Sequence, residues 1–122
     1  MKPLKPLKLY IETSVWNFLD APDAIEKQHA TSIFFASATE HDVRLFTSEV
    51  TLTEIKRAPS PRKEWLEEII IRYSPTVLEL GSDCIELSDE YTKAHIIPRR
   101  YYDDALHLAI ATCYDLDVFV SW

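Results

Sequence analysis

Glycine is nearly missing from this chain. Gly81 is the only one among 122 residues, and phosphate-cradling loops of the Rossmann or P-loop kind need several glycines in one short turn. Those classes drop out at once. Cysteine is scarce too. Cys84 and Cys113 stand far apart with no C-x-x-C spacing, so a zinc site is not expected. Both fall in apolar helical stretches and read as buried free thiols of a reducing compartment rather than as a disulfide. No apolar run is long enough for a signal peptide or a membrane span, the lysine-bearing start MKPLKPLKLYIETS included. The expectation is a cytoplasmic protein with no membrane role. Positive charge is also in deficit, with 13 Lys and Arg against 20 Asp and Glu and a formal net charge of -7. The overall field therefore does not draw in nucleic acid. Such a substrate needs a local basic patch or metal ions to offset phosphate repulsion. The same acidity suits a basic protein partner.

What remains is an ordinary soluble balance, 47% hydrophobic and 27% charged. One domain over residues 1–122 can then bury a core without disulfides. Lys8 to Ile11 (KLYI) reads as a buried strand whose lead-in is kept extended by Pro3 and Pro6. The polar break Glu12-Thr13-Ser14 follows. Residues 23–40 are mainly helix, with Ala24, Ile33, Phe34 and Ala38 as apolar positions. Arg44 to Thr47 is a second strand and Ser48 to Ala58 a helix stopped by Pro59. Ser60 then reads as an N-cap, with Pro61 opening a helix that runs to Tyr73. Thr76 to Leu80 is a third strand, followed by a helix from Ser82 to His95 that ends near Pro98. A last helix spans Tyr101 to Tyr114, and Val118 to Val120 is a fourth strand.

Strands alternating with helices predict an α/β fold: a three-layer α/β/α sandwich on a parallel central sheet with right-handed crossovers. Ligands of open sheets of this kind sit outside the carboxyl ends of the strands. The residues reach Trp122 straight after VFVSW, so the sheet is expected to lack its C-terminal edge element.

Acidic residues follow the strands. Glu12 comes directly after KLYI, Glu54 lies in the helix after RLFTS, and Asp103 and Asp104 open the last helix. Three distant segments thus send carboxylates toward one end of the sheet. Converging carboxylates repel one another, and a shared cation is the usual remedy. An oxygen-only set suits Mg²⁺, and such a site can activate water for attack on a phosphodiester and stabilise the leaving oxygen. Each acid also has a plainer reading. Glu12 could be a solvated strand-end charge. Glu54 completes Thr51-Leu52-Thr53-Glu54, a capping-box pattern. Asp103 and Asp104 complement the dipole of a helix start. The plain readings are weaker jointly than singly, because all three segments point to one edge. His107 shares a face with Asp104. A hydrogen-bonded core histidine is its first reading, and a metal ligand or base its second. Arg99 and Arg100, just ahead of the acidic helix, read as a solvated lead-in or as contacts to substrate phosphates.

The segments YIETSVWNF, TSEVTLTEI, DDALHLAIA and VFVSW resemble, in order and over nearly the whole chain, the successive motifs of PIN domains. The VapC-like toxins of type II toxin–antitoxin pairs are the nearest likeness. The resemblance implies a Mg²⁺ or Mn²⁺ site and hydrolysis of single-stranded RNA. It implies catalytic and metal roles for Glu12, Glu54 and Asp104, with Asp103 an auxiliary metal residue. It places a hydroxyl, Thr13 or Ser14, beside the metal, Ser14 being assigned to substrate binding with Arg99 and Arg100. It further implies a homodimer and a small antitoxin partner. Two departures stand out. The first acid of the family is usually Asp, whereas Glu12 is one methylene longer and moves its carboxylate by roughly 1.5 Å. The family also carries an Asp or Asn and an edge strand just beyond the last strand found here. Those departures favour a competing expectation, a catalytically inactive PIN-like binding domain, and the net charge of -7 favours another, an acidic structural domain with no nucleic-acid role.

Overall fold

The computed structural model describes residues 5–122; Pro3, expected to hold the lead-in extended, lies outside them. Strands β1 (Leu7–Ile11), β2 (Val43–Ser48), β3 (Thr76–Leu78) and β4 (Val118–Val120) form one sheet in the order β3-β2-β1-β4. Every neighbouring pair is parallel, with Leu9 opposite Leu45 on one side and Val118 on the other. Six helices connect them: α1 (Thr13–Asn17), α2 (Ile25–Glu40), α3 (Glu49–Lys56), α4 (Arg62–Tyr73), α5 (Ser82–Lys93) and α6 (Tyr102–Cys113).

Side chains of a strand alternate between faces, and β1 shows what that does here. Leu9 and Ile11 enter a core with Val15, Trp16, Phe35, Leu66, Ile69 and Ile70, which α1, α2 and α4 supply. Tyr10 enters the opposite core with Cys84, Leu106, Ala109 and Ile110 from α5 and α6. A strand covered on both faces needs an unbroken apolar run, which is how KLYI reads. Helix α3 gives Ile55 to the first core and Val50 to the second. It therefore straddles the carboxyl edge of the sheet rather than lying on one face.

The chain crosses from β1 to β2 to β3 in one direction, then returns to place β4 on the far side of β1. That reversal opens a crevice between the ends of β1 and β4, the usual ligand position in such sheets. The β1–β4 pair is fastened at both ends. Lys8 and Asp117 exchange bonds at 2.8 and 2.9 Å at the start, and the Glu12 amide donates to the Val120 carbonyl at 3.0 Å at the finish. Strand β4 is the outermost strand on its side among the described residues.

The structure revises several boundaries. The polar break after β1 is the short helix α1. Ser60 does not cap α4: Pro61 occupies the cap position with helical backbone angles, and the Ser60 hydroxyl donates to Glu64 instead, at 2.6 Å. Strand β3 ends at Leu78 because the next groups are taken elsewhere. The Leu80 amide donates to the Glu49 carboxylate at 2.9 Å, and the Glu79 carbonyl accepts from the Tyr114 hydroxyl at 2.9 Å. A 3₁₀ turn over Arg99–Tyr101 precedes α6. Cys84 is buried as expected, but Cys113 is exposed in the last turn of α6; both are free thiols.

Candidate active site

Glu12 ends β1 and serves as the N-cap of α1, with extended backbone angles. Its carboxylate is 9% exposed at the residue level and accepts three hydrogen bonds. Oε1 takes the Ser14 amide at 3.1 Å, while Oε2 takes the Ser14 hydroxyl at 2.6 Å and the Ser121 hydroxyl at 2.9 Å. A carboxylate oxygen has about two accepting positions, so Oε2 is saturated and Oε1 keeps one. Glu12 is thus no solvated strand-end charge. Ser14 is committed on both sides, because its hydroxyl also accepts from the Trp122 amide at 3.1 Å.

Glu54 projects from the sixth position of α3. The capping-box reading of Thr51-Leu52-Thr53-Glu54 fails, because α3 starts three residues earlier than that box requires. Ser48 is its N-cap and accepts from the Val50 amide at 3.2 Å. Freed of that task, the Glu54 carboxylate meets His107: Oε1 lies within hydrogen-bond distance of Nε2. His107 is buried, and its Nδ1 bonds the Tyr10 hydroxyl. Tyr10 in turn bonds the Ser48 hydroxyl at 2.7 Å. Thr13 also turns inward, its hydroxyl 3.1 Å from that of Thr51 and 3.4 Å from His107 Nε2. Burial pushes the Tyr10 phenol well above its ordinary range. The Ser48 and Thr51 contacts oppose the shift and the charges of Glu54 and Glu12 add to it.

Asp104 sits on the first turn of α6, open to solvent, with its neighbour Asp103 rotated about 100° around the axis. The two acids part company. Asp104 lines a cleft of about 370 Å³ with Glu12, Ser14, Ile97, Leu108, Phe119, Ser121 and Trp122. Asp103 lines a second cleft of about 480 Å³ with Glu49, Glu54, Lys56 and Arg57, and it pairs loosely with Arg57 at 4.0 Å. The Asp104 carboxyl is raised above its ordinary value. Partial desolvation is the chief cause, then the charge of Glu12; Glu54 and Asp103 add to the rise and His107 opposes it. No lysine or arginine enters that balance.

The three acids are therefore near enough to feel one another, as three chain-distant segments at one sheet edge should be. They are not drawn onto one point: among the described residues no three His, Cys, Asp or Glu side chains are gathered closely enough to hold an ion as they stand. The donor chemistry nonetheless fits Mg²⁺ or Mn²⁺. Glu54 Oε2, the remaining position on Glu12 Oε1 and the Asp104 carboxylate supply only oxygen, and no lysine or arginine relieves the like-charge repulsion on Asp104.

Two solved structures share this architecture. Mycobacterium tuberculosis VapC20, described as a Sarcin–Ricin loop cleaving toxin, aligns with a TM-score of 0.74 over 93% of this chain and 88% of its own, at 19% identity. A chain of VapBC2 from Rickettsia felis, solved bound to a DNA fragment from their promoter, aligns with a TM-score of 0.64 over 92% and 85%, at 13% identity. This chain has the PIN-like VapC fold. No protein-family profile matches the sequence, and no curated protein does.

Within this VapC-like fold, the sequence reading named the three acids and the neighbouring Thr13 and Ser14, but not the other groups around them. Ser121 and Trp122, Tyr10, Ser48 and Thr51 all border the site, yet each reads in sequence as an ordinary strand, loop or helix residue. Arg99 and Arg100 are exposed on the 3₁₀ turn and line neither cleft. Arg57, unnoticed in the sequence, lines the cleft that holds Glu54 and Asp103.

Proposed function

We propose that this chain is an endoribonuclease that hydrolyses single-stranded RNA with the aid of Mg²⁺ or Mn²⁺, and that it is the toxin of a toxin–antitoxin pair. The observation that carries the reading is the convergence of Glu12, Glu54 and Asp104 on the carboxyl edge of the sheet, near enough that the charges of Glu12 and Glu54 add to the desolvation that raises the Asp104 carboxyl.

Glu12, Glu54 and Asp104 would hold the ion, with Asp103 assisting through water. The ion, when bound, would supply an activated water and charge stabilisation for the leaving oxygen. Ser14 keeps Glu12 in place and lines the cleft in which substrate would lie. Arg57, Arg99 and Arg100 provide exposed positive charge near the acidic edge for phosphates, which the net charge of -7 would otherwise repel. The VapC-like fold supports a small antitoxin as partner, a homodimer as the working form and a cytoplasmic setting. Among the described residues no helix is long and apolar enough to cross a membrane.

The test is cleavage of an unstructured RNA in Mn²⁺. Glu54→Gln should lower kcat on the order of a hundredfold or more, a loss of several kcal/mol of transition-state stabilisation. Cleavage unaffected by both Glu54→Gln and chelation would defeat the reading. One observation favours a second reading, a binding domain without catalysis: the chain's own donors already occupy most of the Glu12 carboxylate. Purified protein that binds antitoxin but neither Mn²⁺ nor RNA would establish it.

A further inference from the structure

We propose that His107 is a positioning residue for Glu54. It holds Oε1, so that Oε2 is the oxygen offered to a cation, and Tyr10 sets the ring tautomer that makes this work. The inference rests on the metal role proposed above for Glu54.

Proton directions along the buried chain of groups decide it. Ser48 is fully buried. Its hydroxyl oxygen accepts from the Val50 amide and lies 2.7 Å from the Tyr10 oxygen. The Ser48 proton has a partner only if it is donated to Tyr10. The Tyr10 proton then goes to His107 Nδ1, the nearer of its two remaining polar neighbours, Thr51 being the other. A neutral imidazole that accepts at Nδ1 carries its proton on Nε2, and Nε2 faces Glu54 Oε1. The opposite tautomer would set a bare nitrogen lone pair against a carboxylate oxygen and leave the Ser48 proton without a partner, which is costly in a buried site.

The chain of bonds starts at the N-cap of α3 and returns to α3 at Glu54, so the helix is braced against itself through β1 and α6. His107 is 1% exposed at its side chain, against 27% for Glu54. The rigid, enclosed member therefore orients the mobile one. Glutamate has several rotatable bonds to lose on ordering, and a hydrogen bond that fixes a ligating carboxylate in advance reduces what binding must supply.

The experiment measures Mn²⁺ affinity by calorimetry, together with kcat and KM for RNA cleavage, in wild type, Glu54→Gln, His107→Asn, His107→Gln and Tyr10→Phe. Asn keeps a group near Nδ1 and removes the donor to Glu54, whereas Gln can restore a donor near Nε2. His107→Asn should weaken Mn²⁺ binding on the order of ten- to a hundredfold and lower kcat with KM little changed; His107→Gln should recover most of both. Loss of binding in Glu54→Gln with wild-type affinity in His107→Asn overturns this inference alone. Equal binding by wild type and Glu54→Gln overturns the metal role itself, and this inference with it. A reading independent of mutant folding comes from long-range ¹H–¹⁵N NMR of the wild-type imidazoles. A single Nε2–H form of His107 supports the proposal, and an Nδ1–H form overturns it.

Discussion

The Ser121 hydroxyl donates to Oε2 of Glu12 at 2.9 Å, across 109 positions of the sequence. One residue follows β1 and the other follows β4, so the bond exists only because the two strands lie side by side. It ties the setting of the first acid to the far end of the fold.

Glu12→Asp and Ser121→Ala should therefore be coupled. Ser121→Ala is expected to cost about 1 kcal/mol in urea unfolding, an ordinary value for a lost hydrogen bond. Aspartate is a good N-cap and should keep the Ser14 amide, but its shorter arm should give up Ser121. In the Glu12→Asp background Ser121→Ala should then cost almost nothing. Additive costs would show that the two side chains do not interact in solution.

Tyr10→Phe should destabilise the protein by about 1–3 kcal/mol, because Ser48 and His107 each lose a buried partner. Thermal unfolding should show a fall of roughly 4 °C per kcal/mol for a chain of this size. An unchanged melting temperature would mean that these buried groups find other partners.

Asp104 makes a prediction about pH. Its carboxyl is raised above the ordinary 3.8, so between the unfolded and folded pKa the native state binds more protons than the unfolded state. Stability then falls as pH rises through the folded pKa, and the unfavourable contribution is absent in acid below the unfolded value. In metal-free buffer Asp104→Asn should be more stable than wild type at neutral pH, with the gap shrinking as the pH falls through the raised folded pKa and closed below about 4. A gap that persists in acid would trace the gain to something other than ionisation.

Manganese should reverse that order. A ligand at a hundred times its Kd stabilises a native state by about 2.7 kcal/mol. Wild type should gain this increment in a thermal melt with Mn²⁺, and Asp104→Asn should lose most of it. Equal shifts in both proteins would place the ion elsewhere.

Much of the fold was legible because the strands carry strong local signals. KLYI and VFV are apolar and short, and the helices between them are longer and periodic. The order of the elements then leaves few topologies open. Glu12, Glu54 and Asp104 could be named for the same reason, since each follows a strand or opens a helix at the predicted carboxyl edge. What stayed hidden depends on contacts between remote segments. Helix α1 has only five residues, two of them β-branched, and its cap is a glutamate rather than the usual Ser, Thr, Asp or Asn. Thr51-Leu52-Thr53-Glu54 matched a local capping pattern, but the helix had already begun at Glu49 under Ser48. The hydroxyls of Tyr10, Ser48 and Ser121 became site neighbours through strand order alone, which no local pattern encodes. The separation of Asp103 from Asp104 follows from one residue's rotation around α6 and waited on knowing which way that helix faces.

The pairing of β4 with β1 also has a consequence for synthesis. A nascent polypeptide that has produced β1, β2, β3 and α6 already contains all three acids, but the seat beside Glu12 has no second wall. Closing a loop of that span is entropically slow compared with the local helices, so the crevice should be among the last features to form. A ribosome translating this message would carry an open crevice until β4 had emerged and docked.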